Sequence, residues 1–237
     1  MNTAYLIHLG ITFAIQLILV GSFSFLFGGV GVPNLAHVSA VAVGAYTAAL
    51  LALHSGWPFG VALLAAAASG VVSGLVLAVL LRRVRGDYLA LLALEVQFLT
   101  TTILLNWPSV TRGALGLPGI PRPAGFTTPV AYLVLTVMIA AIVIGAYHAI
   151  LRSPYGRVMA AVRDDEVAAA AIGKRVPRVR MTAFLLASAG AAVGGALLAH
   201  YIQFIDPLPI SIPHPAHALA GAIIGGVGSV PGMVVGT

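Results

Sequence analysis

The chain has 237 residues, 60% of them hydrophobic and only 8% charged, with 12 basic side chains, 6 acidic ones and no Cys. Soluble domains are about a quarter charged, and the mean hydropathy here is +1.05, so a soluble enzyme, a disordered chain and a disulfide scaffold are excluded in favour of a polytopic membrane protein. The pI near 10.2 comes from a net charge of +6 on a chain with few charges of any kind, which marks the ends of spans and not a nucleic-acid surface.

Six apolar stretches follow one another, each near the ~20 residues that cross a bilayer: Ala4–Phe27, Ala36–Leu53, Gly60–Leu81, Tyr88–Trp107, Val130–Leu151 and Met181–Ile205. A seventh begins near His217. The fold expected is all-α, one transmembrane domain over 1–237 with six to seven helices. Met1 to Leu26 carries no Lys or Arg, so nothing announces a cleavable signal peptide and the stretch reads as a true first span. The second stretch follows Gly28-Gly29-Val30-Gly31-Val32-Pro33-Asn34 and holds Asn34, His37, Ser39 and Gly44. That pattern suits a broken or re-entrant helix lining a pathway, because irregular backbone survives at membrane depth only where protein or water satisfies it. Small residues crowd the third and sixth stretches (Ala65 to Ala68, Gly70, Gly74; Ala187, Ser188, Gly190, Gly194, Gly195), as in tightly packed membrane bundles.

In the fourth stretch Glu95 is an ionisable group about 10 Å along the helix. Such a group is a functional candidate by default. It belongs on a translocation path or a subunit interface, or else it is a protonated carboxyl bonded to a neighbouring helix. Gln97 points about 200° away round the helix, and Thr100, Thr101 and Thr102 can bond back to their own turn. His37, His148 and His200 fall near span ends, where an imidazole at the water boundary is ordinary.

Ten of the twelve basic residues fall in two clusters: Arg82, Arg83 and Arg85, then Arg152, Arg157, Arg163, Lys174, Arg175, Arg178 and Arg180. Two spans separate them, so both can lie on one side, and the bias assigns that side to the cytoplasm. The N-terminus and the loops Pro108 to Thr128 and Asp206 to Pro213 then face outward.

The loop 152–180 carries the strongest local signals. Ser153-Pro154 is a helix start, a capping hydroxyl followed by a residue with no N–H to lose. A second short helix begins at Asp164 or Asp165. Asp164, Asp165 and Glu166 complement its positive end, Gly173 suits the left-handed position after it, and Lys174 and Arg175 suit its negative end. Between them lie Ala168 to Ala171, a face that lets another surface come close. A loop lying on headgroups would want more apolar bulk on one face than Val158, Met159, Val162, Val167 and Ile172 supply.

Glu166-Val167-Ala168-Ala169-Ala170-Ala171-Ile172-Gly173 resembles the short coupling loop of ABC importer permeases. The chain as a whole resembles the branched-chain amino acid permease family, LivM-like. The similar stretches are Leu35-Ala36-His37 with Gly44 to Ala49, Arg85-Gly86-Asp87-Tyr88, Asn106-Trp107, Gly116 to Pro123, Gly156-Arg157, Arg163 to Glu166, His200 to Pro207 and Gly225 to Ser229. The resemblance implies a permease domain without its own ATPase site or cofactor. It implies that ATP is bound by separate subunits docked on Arg163, Asp164, Asp165, Glu166, Ala168, Ala169 and Gly173. Its other implied partners are a second permease subunit and a periplasmic solute-binding protein, in the inner membrane and in contact with lipid. Asn34, His37, Glu95 and Gln97 are the path candidates.

Phe98 and Thr101 stand where many family members have Glu and Arg. The chain stops at Thr237, inside a motif after which relatives continue, so it reads as a shortened form or as a piece. No phosphate loop occurs, since Gly225-Gly226-Val227-Gly228 lacks the Lys. His214 and His217 have no Cys or acid beside them, so no metal site is expected. Other solutes (urea, amides, sugars), a proton-coupled transporter relaying through Glu95 and a non-transporting scaffold remain as alternative readings.

Overall fold

The computed structural model describes residues 3–81, 84 and 87–207. Among them, six helices are long and apolar enough to cross a membrane: α1 (Thr3–Val30), α2 (His37–His54), α3 (Phe59–Leu81), α4 (Asp87–Leu105), α6 (Pro129–Arg152) and α9 (Val176–Ile202). Three short helices accompany them, α5 (Pro108–Thr111), α7 (Pro154–Asp164) and α8 (Glu166–Ala171). The expected seventh stretch, the His214/His217 pair, the Gly225 to Ser229 motif and Arg82, Arg83 and Arg85 lie outside the described residues. The last span starts at Val176 and not at Met181, because Pro177 sits in its first turn, where a missing N–H costs nothing.

The hub is α9, which packs against α1, α2 and α3 along most of its length. Its small residues explain this. A Cβ on Gly74 of α3 would come within 2.8 Å of the Phe184 carbonyl oxygen, and one on Gly44 of α2 would overlap the Ala192 backbone. Backbones that approach this closely replace the missing hydrophobic drive between helices in lipid with van der Waals contact. From α6, Tyr132 Oη donates to the Leu197 carbonyl at 2.7 Å and Tyr147 Oη to the Leu186 carbonyl at 3.1 Å. Both phenols reach α9 carbonyls, and Tyr147 also stacks on Phe25 of α1 at 4.4 Å.

At the end away from α7 and α8, the chain between α4 and α6 is stapled to the end of α9. Strand β1 (Leu117–Pro118) pairs antiparallel with β2 (Phe204–Ile205), Leu117 opposite Ile205. Gln203 stands in the left-handed region (φ 60) and its carbonyl accepts from the N–H groups of Gly119 and Ile120. Leu117 and Ile120 are thereby buried against Ala45, Tyr46 and Ala49 of α2, which closes that end of the bundle. Helices α3 and α4 lie at the edge: their apolar windows are 22% and 11% buried, against 67% for α1 and α9.

Candidate functional site

The first cluster forms where α1 and α2 are joined. Helix α1 ends at Val30, and Gly31 to Ala36 is non-helical. A Cβ on Gly31 would lie 2.9 Å from Arg163 Cγ, so Gly31 sits beside the end of α7. His37, only six residues on, is hydrogen-bonded opposite Leu19 of α1. The segment bends at Gly31, runs without regular structure over residues 32–34 and turns over Leu35 and Ala36 straight into α2, and the His37 side chain reaches back to α1 from there. The broken-helix expectation takes this form, with the break before α2 and α2 itself intact.

Polar groups are buried around this join. Asn34, His37, Ser39, Ser22, Ser24 and Gln97 are all buried. Asn34 Oδ1 accepts from the Ala36 N–H at 3.1 Å and caps the turn. Ser22 Oγ donates to the Leu19 carbonyl at 2.9 Å. His37 Nε2 lies 3.1 Å from that carbonyl and 3.2 Å from Ser22 Oγ, so Nε2 carries the proton and Nδ1 presents a lone pair. Ser39 Oγ donates to Gln97 Oε1 at 2.9 Å, tying α2 to α4. Two buried groups here have no partner among the described residues, Asn34 Nδ2 and His37 Nδ1, one a donor and one an acceptor. Gln97 is about 15 Å from the start of α4, near the middle of a ~30 Å hydrocarbon core.

Asn34 and His37 lie together at the start of α2, whereas Gln97 meets α2 at Ser39, about 200° round that helix from His37, and Glu95 joins neither group. Glu95 is exposed on the outer side of α4, among Leu91, Phe98 and Leu99, each 58% exposed, and no hydrogen bond or ion pair among the described residues holds it. The water-boundary placement of His37 and His200 is overturned. Both are buried, and His200 Nδ1 bonds the Ala196 carbonyl at 2.9 Å. Local pattern is silent on this, because a residue's place near a helix end says nothing about a neighbouring helix that extends past it.

The second cluster is the α7–α8 peg. Ser153 caps α7 by accepting from the Gly156 N–H at 3.2 Å. Asp164 is the last residue of α7, and Asp165 is the cap of α8, accepting from the N–H groups of Val167 and Ala168 at 2.8 and 3.0 Å. Gly173 takes φ +81, and its N–H and that of Lys174 return to the carbonyls of Ala170 and Ala169, the left-handed closure that stops the helix. Arg163 Nε pairs with Asp164 at 2.9 Å, while its Nη1 donates to the Gly28 carbonyl at 2.8 Å. Glu166 pairs with Arg180 at 2.7 Å. Ala169 is buried and Ala168 faces out, with Val167 and Ile172 75% and 69% exposed. Sequence reasoning missed Arg180 and Gly28 as partners of the peg, since both contacts join distant parts of the chain. Among the described residues no group of His and acids could hold a metal ion.

The family model described as the permease component of branched-chain amino acid transport systems matches residues 5–237. The chain is 30% identical over 215 residues to the high-affinity branched-chain amino acid transport system permease protein LivM of Escherichia coli (strain K12), covering 79% of this chain and 51% of that protein. LivM of Salmonella typhimurium gives the same figures. The high-affinity branched-chain amino acid transport system permease protein LivH of Escherichia coli (strain K12) is 28% identical over 259 residues, covering 97% of this chain and 80% of that one. The chain spans about half the length of the LivM relatives it matches. No solved structure matches it. Six spans and a family match over nearly the whole chain lead to one conclusion: this multi-pass membrane protein belongs to the permease components of branched-chain amino acid transport systems and is not an enzyme.

Proposed function

We propose that the chain is the translocating subunit of an ABC importer for branched-chain or other apolar amino acids. Separate ATP-binding subunits seat on the α7–α8 peg, a second permease completes the pore and a periplasmic binding protein delivers the solute. The observation that carries this reading is the physical line from peg to path. Arg163 at the end of α7 donates to the Gly28 carbonyl and lies beside Gly31, and Gly31 begins the non-helical segment that leads through Asn34 to His37. A push on the peg thus enters a stretch of backbone between α1 and α2 that no helix stiffens. Ligands that prefer one arrangement of such an element shift its population.

The unpartnered Asn34 Nδ2 and His37 Nδ1 supply a donor and an acceptor in an otherwise apolar interior, which suits a solute with a polar head and an apolar body. The exposed carboxylate of Glu95 on α4, the least buried span, is costly against lipid and favours a second permease on that face. With the basic end in the cytoplasm, the peg stands where ATP is.

The test is ATP-dependent leucine uptake in vesicles carrying the assembled transporter with Glu166→Arg, which sets two cations against each other at Arg180, or Gly173→Val, which puts a β-branched residue at φ +81. Each change should abolish uptake with normal membrane insertion. Uptake that survives both, or that persists without ATP and collapses with the proton gradient, overturns the proposal.

A further inference from the structure

The loop that carries the peg holds three acids, and each is engaged: Asp164 pairs with Arg163, Asp165 caps α8 and Glu166 pairs with Arg180. Its cations outnumber them. Arg152 and Arg178 are both exposed and have no ion pair among the described residues. The fold sets these two arginines around one contact. Arg152 ends α6, and a Cβ on Gly156 would overlap the Leu151 carbonyl, so α7 turns off tightly and its first turn stays close to Arg152. From that turn, Tyr155 Oη bonds Thr182 Oγ1 of α9. The Thr182 hydroxyl donates to the Val179 carbonyl at 3.0 Å, so the phenol is the donor of the pair. Arg178 stands four residues before Thr182, one turn away on the same face of α9. Arg180, two residues further, points about 200° away and holds the peg.

The same face continues inward to Leu186, 38% exposed and about 12 Å from Arg178 along the helix. The span of α6 ends at Arg152 and that of α9 starts at Val176. The arginines therefore stand at headgroup depth and Leu186 at the depth of acyl chains. We propose that this corner of α6, α7 and α9 binds one anionic phospholipid of the phosphatidylglycerol class. Its phosphate accepts from Arg152 and Arg178, for which the guanidinium fork is suited, and an acyl chain lies against Leu186. Phosphatidylcholine has the same phosphate, but its own ammonium competes for it, so two unpaired arginines select the lipid with a net charge. An ATP-binding subunit on the peg leaves this corner free, because Arg178 faces away from the side of α9 that grips α8. The lipid ties the end of α6 to α9 beside the root of α7, holding the base of the peg. The inference does not depend on which solute is carried.

The chain has two tryptophans, so a single reporter can be placed. Trp57→Phe and Trp107→Phe remove both, and Leu186→Trp sets one beside the arginines. In nanodiscs holding the full chain, lipids with brominated acyl chains quench that reporter on contact. Titrating phosphatidylglycerol against phosphatidylcholine gives the ratio of their binding constants. The ratio should be roughly twentyfold in favour of phosphatidylglycerol, about fivefold from each arginine. Arg152→Gln and Arg178→Gln should each cut it about fivefold, and together bring it close to parity. Lys174→Gln removes the same charge from the far end of the peg and should leave it unchanged. A reporter placed instead by Leu64→Trp, 72% exposed on α3, should read parity.

Parity at 186, an equal preference at 64, or a preference that survives both arginine substitutions overturns the inference. So does an equal loss with Lys174→Gln, which would make the attraction a diffuse field and not a site. Glycerol 3-phosphate carries the anion without the chains and should not lower the ratio; displacement by it would make the corner a site for soluble phosphates and sink the lipid. Loss of the preference when ATP-binding subunits are seated would make the corner part of their seat, with the same result.

Discussion

Glu95 and Gln97 stand two residues apart on α4, about 200° round the helix, and the membrane treats them differently. Gln97 is buried and accepts from Ser39 at 2.9 Å; Glu95 is exposed. Gln97→Leu leaves the buried Ser39 hydroxyl without its acceptor, a loss of about 1 kcal/mol. For a chain of this size that lowers the Tm by ~2–4 °C, readable in a detergent melt, and Ser39→Ala with Gln97→Leu should recover part of it. Glu95→Gln removes a charge that no protein group here compensates, so the Tm of the single chain should not fall. Its effect belongs to transport: uptake should drop more than with Asp206→Asn, which changes a residue just past β2 and not in mid-span. Equal uptake by the two variants would remove Glu95 from the path and from the partner interface.

At the scale of an element, the six-residue α8 depends on its ends, because a helix this short has little propensity to spare. Asp165→Ala removes the side chain that satisfies two N–H groups, at a cost of about 1 kcal/mol. If docking requires the formed helix, that cost is a roughly fivefold loss of ATP-driven uptake. Asp165→Asn should keep most of the activity, since Asn caps as well as Asp; parity of the Ala variant with the parent protein would show that α8 need not be folded to dock. These caps were legible in the sequence because capping is a local code: Ser153-Pro154, Asp165 and Gly173 act within four residues of themselves. The spans were legible for the same reason of locality, apolar length. What distant chain decides was not: that His37 reaches the Leu19 carbonyl of α1, that Arg180 holds Glu166, or that Leu117–Pro118 pairs with Phe204–Ile205. The Gly-Pro-Asn run announced a break but could not say how far the chain travels before α2 begins.

The whole molecule is organised around α9, whose glycines and alanines admit three neighbouring backbones, while α3 and α4 turn most of their apolar surface outward. Crowding that hub should act on the entire bundle. Gly44→Leu drives a side chain into the Ala192 backbone and should destabilise by about 1–3 kcal/mol or more, with less folded protein in the membrane, whereas a similar change at the outward-facing Gly145, which has open space around it, should not.

The same architecture fixes a sidedness that everything functional depends on. Six antiparallel crossings put the α7–α8 peg and the staple of β1 on β2 at opposite ends, and seven of the basic residues sit at the peg's end. Thiols introduced singly at Ala168 on the peg and Ala124 in the stapled loop, both exposed, should respond oppositely to an impermeant maleimide: 124 labelled in intact cells whose outer membrane has been opened, 168 only after the inner membrane is broken. Labelling of 168 in intact cells would place the peg away from ATP, and no arrangement of Arg163, Gly28 and Gly31 could then carry the work of hydrolysis to the segment that joins α1 to α2.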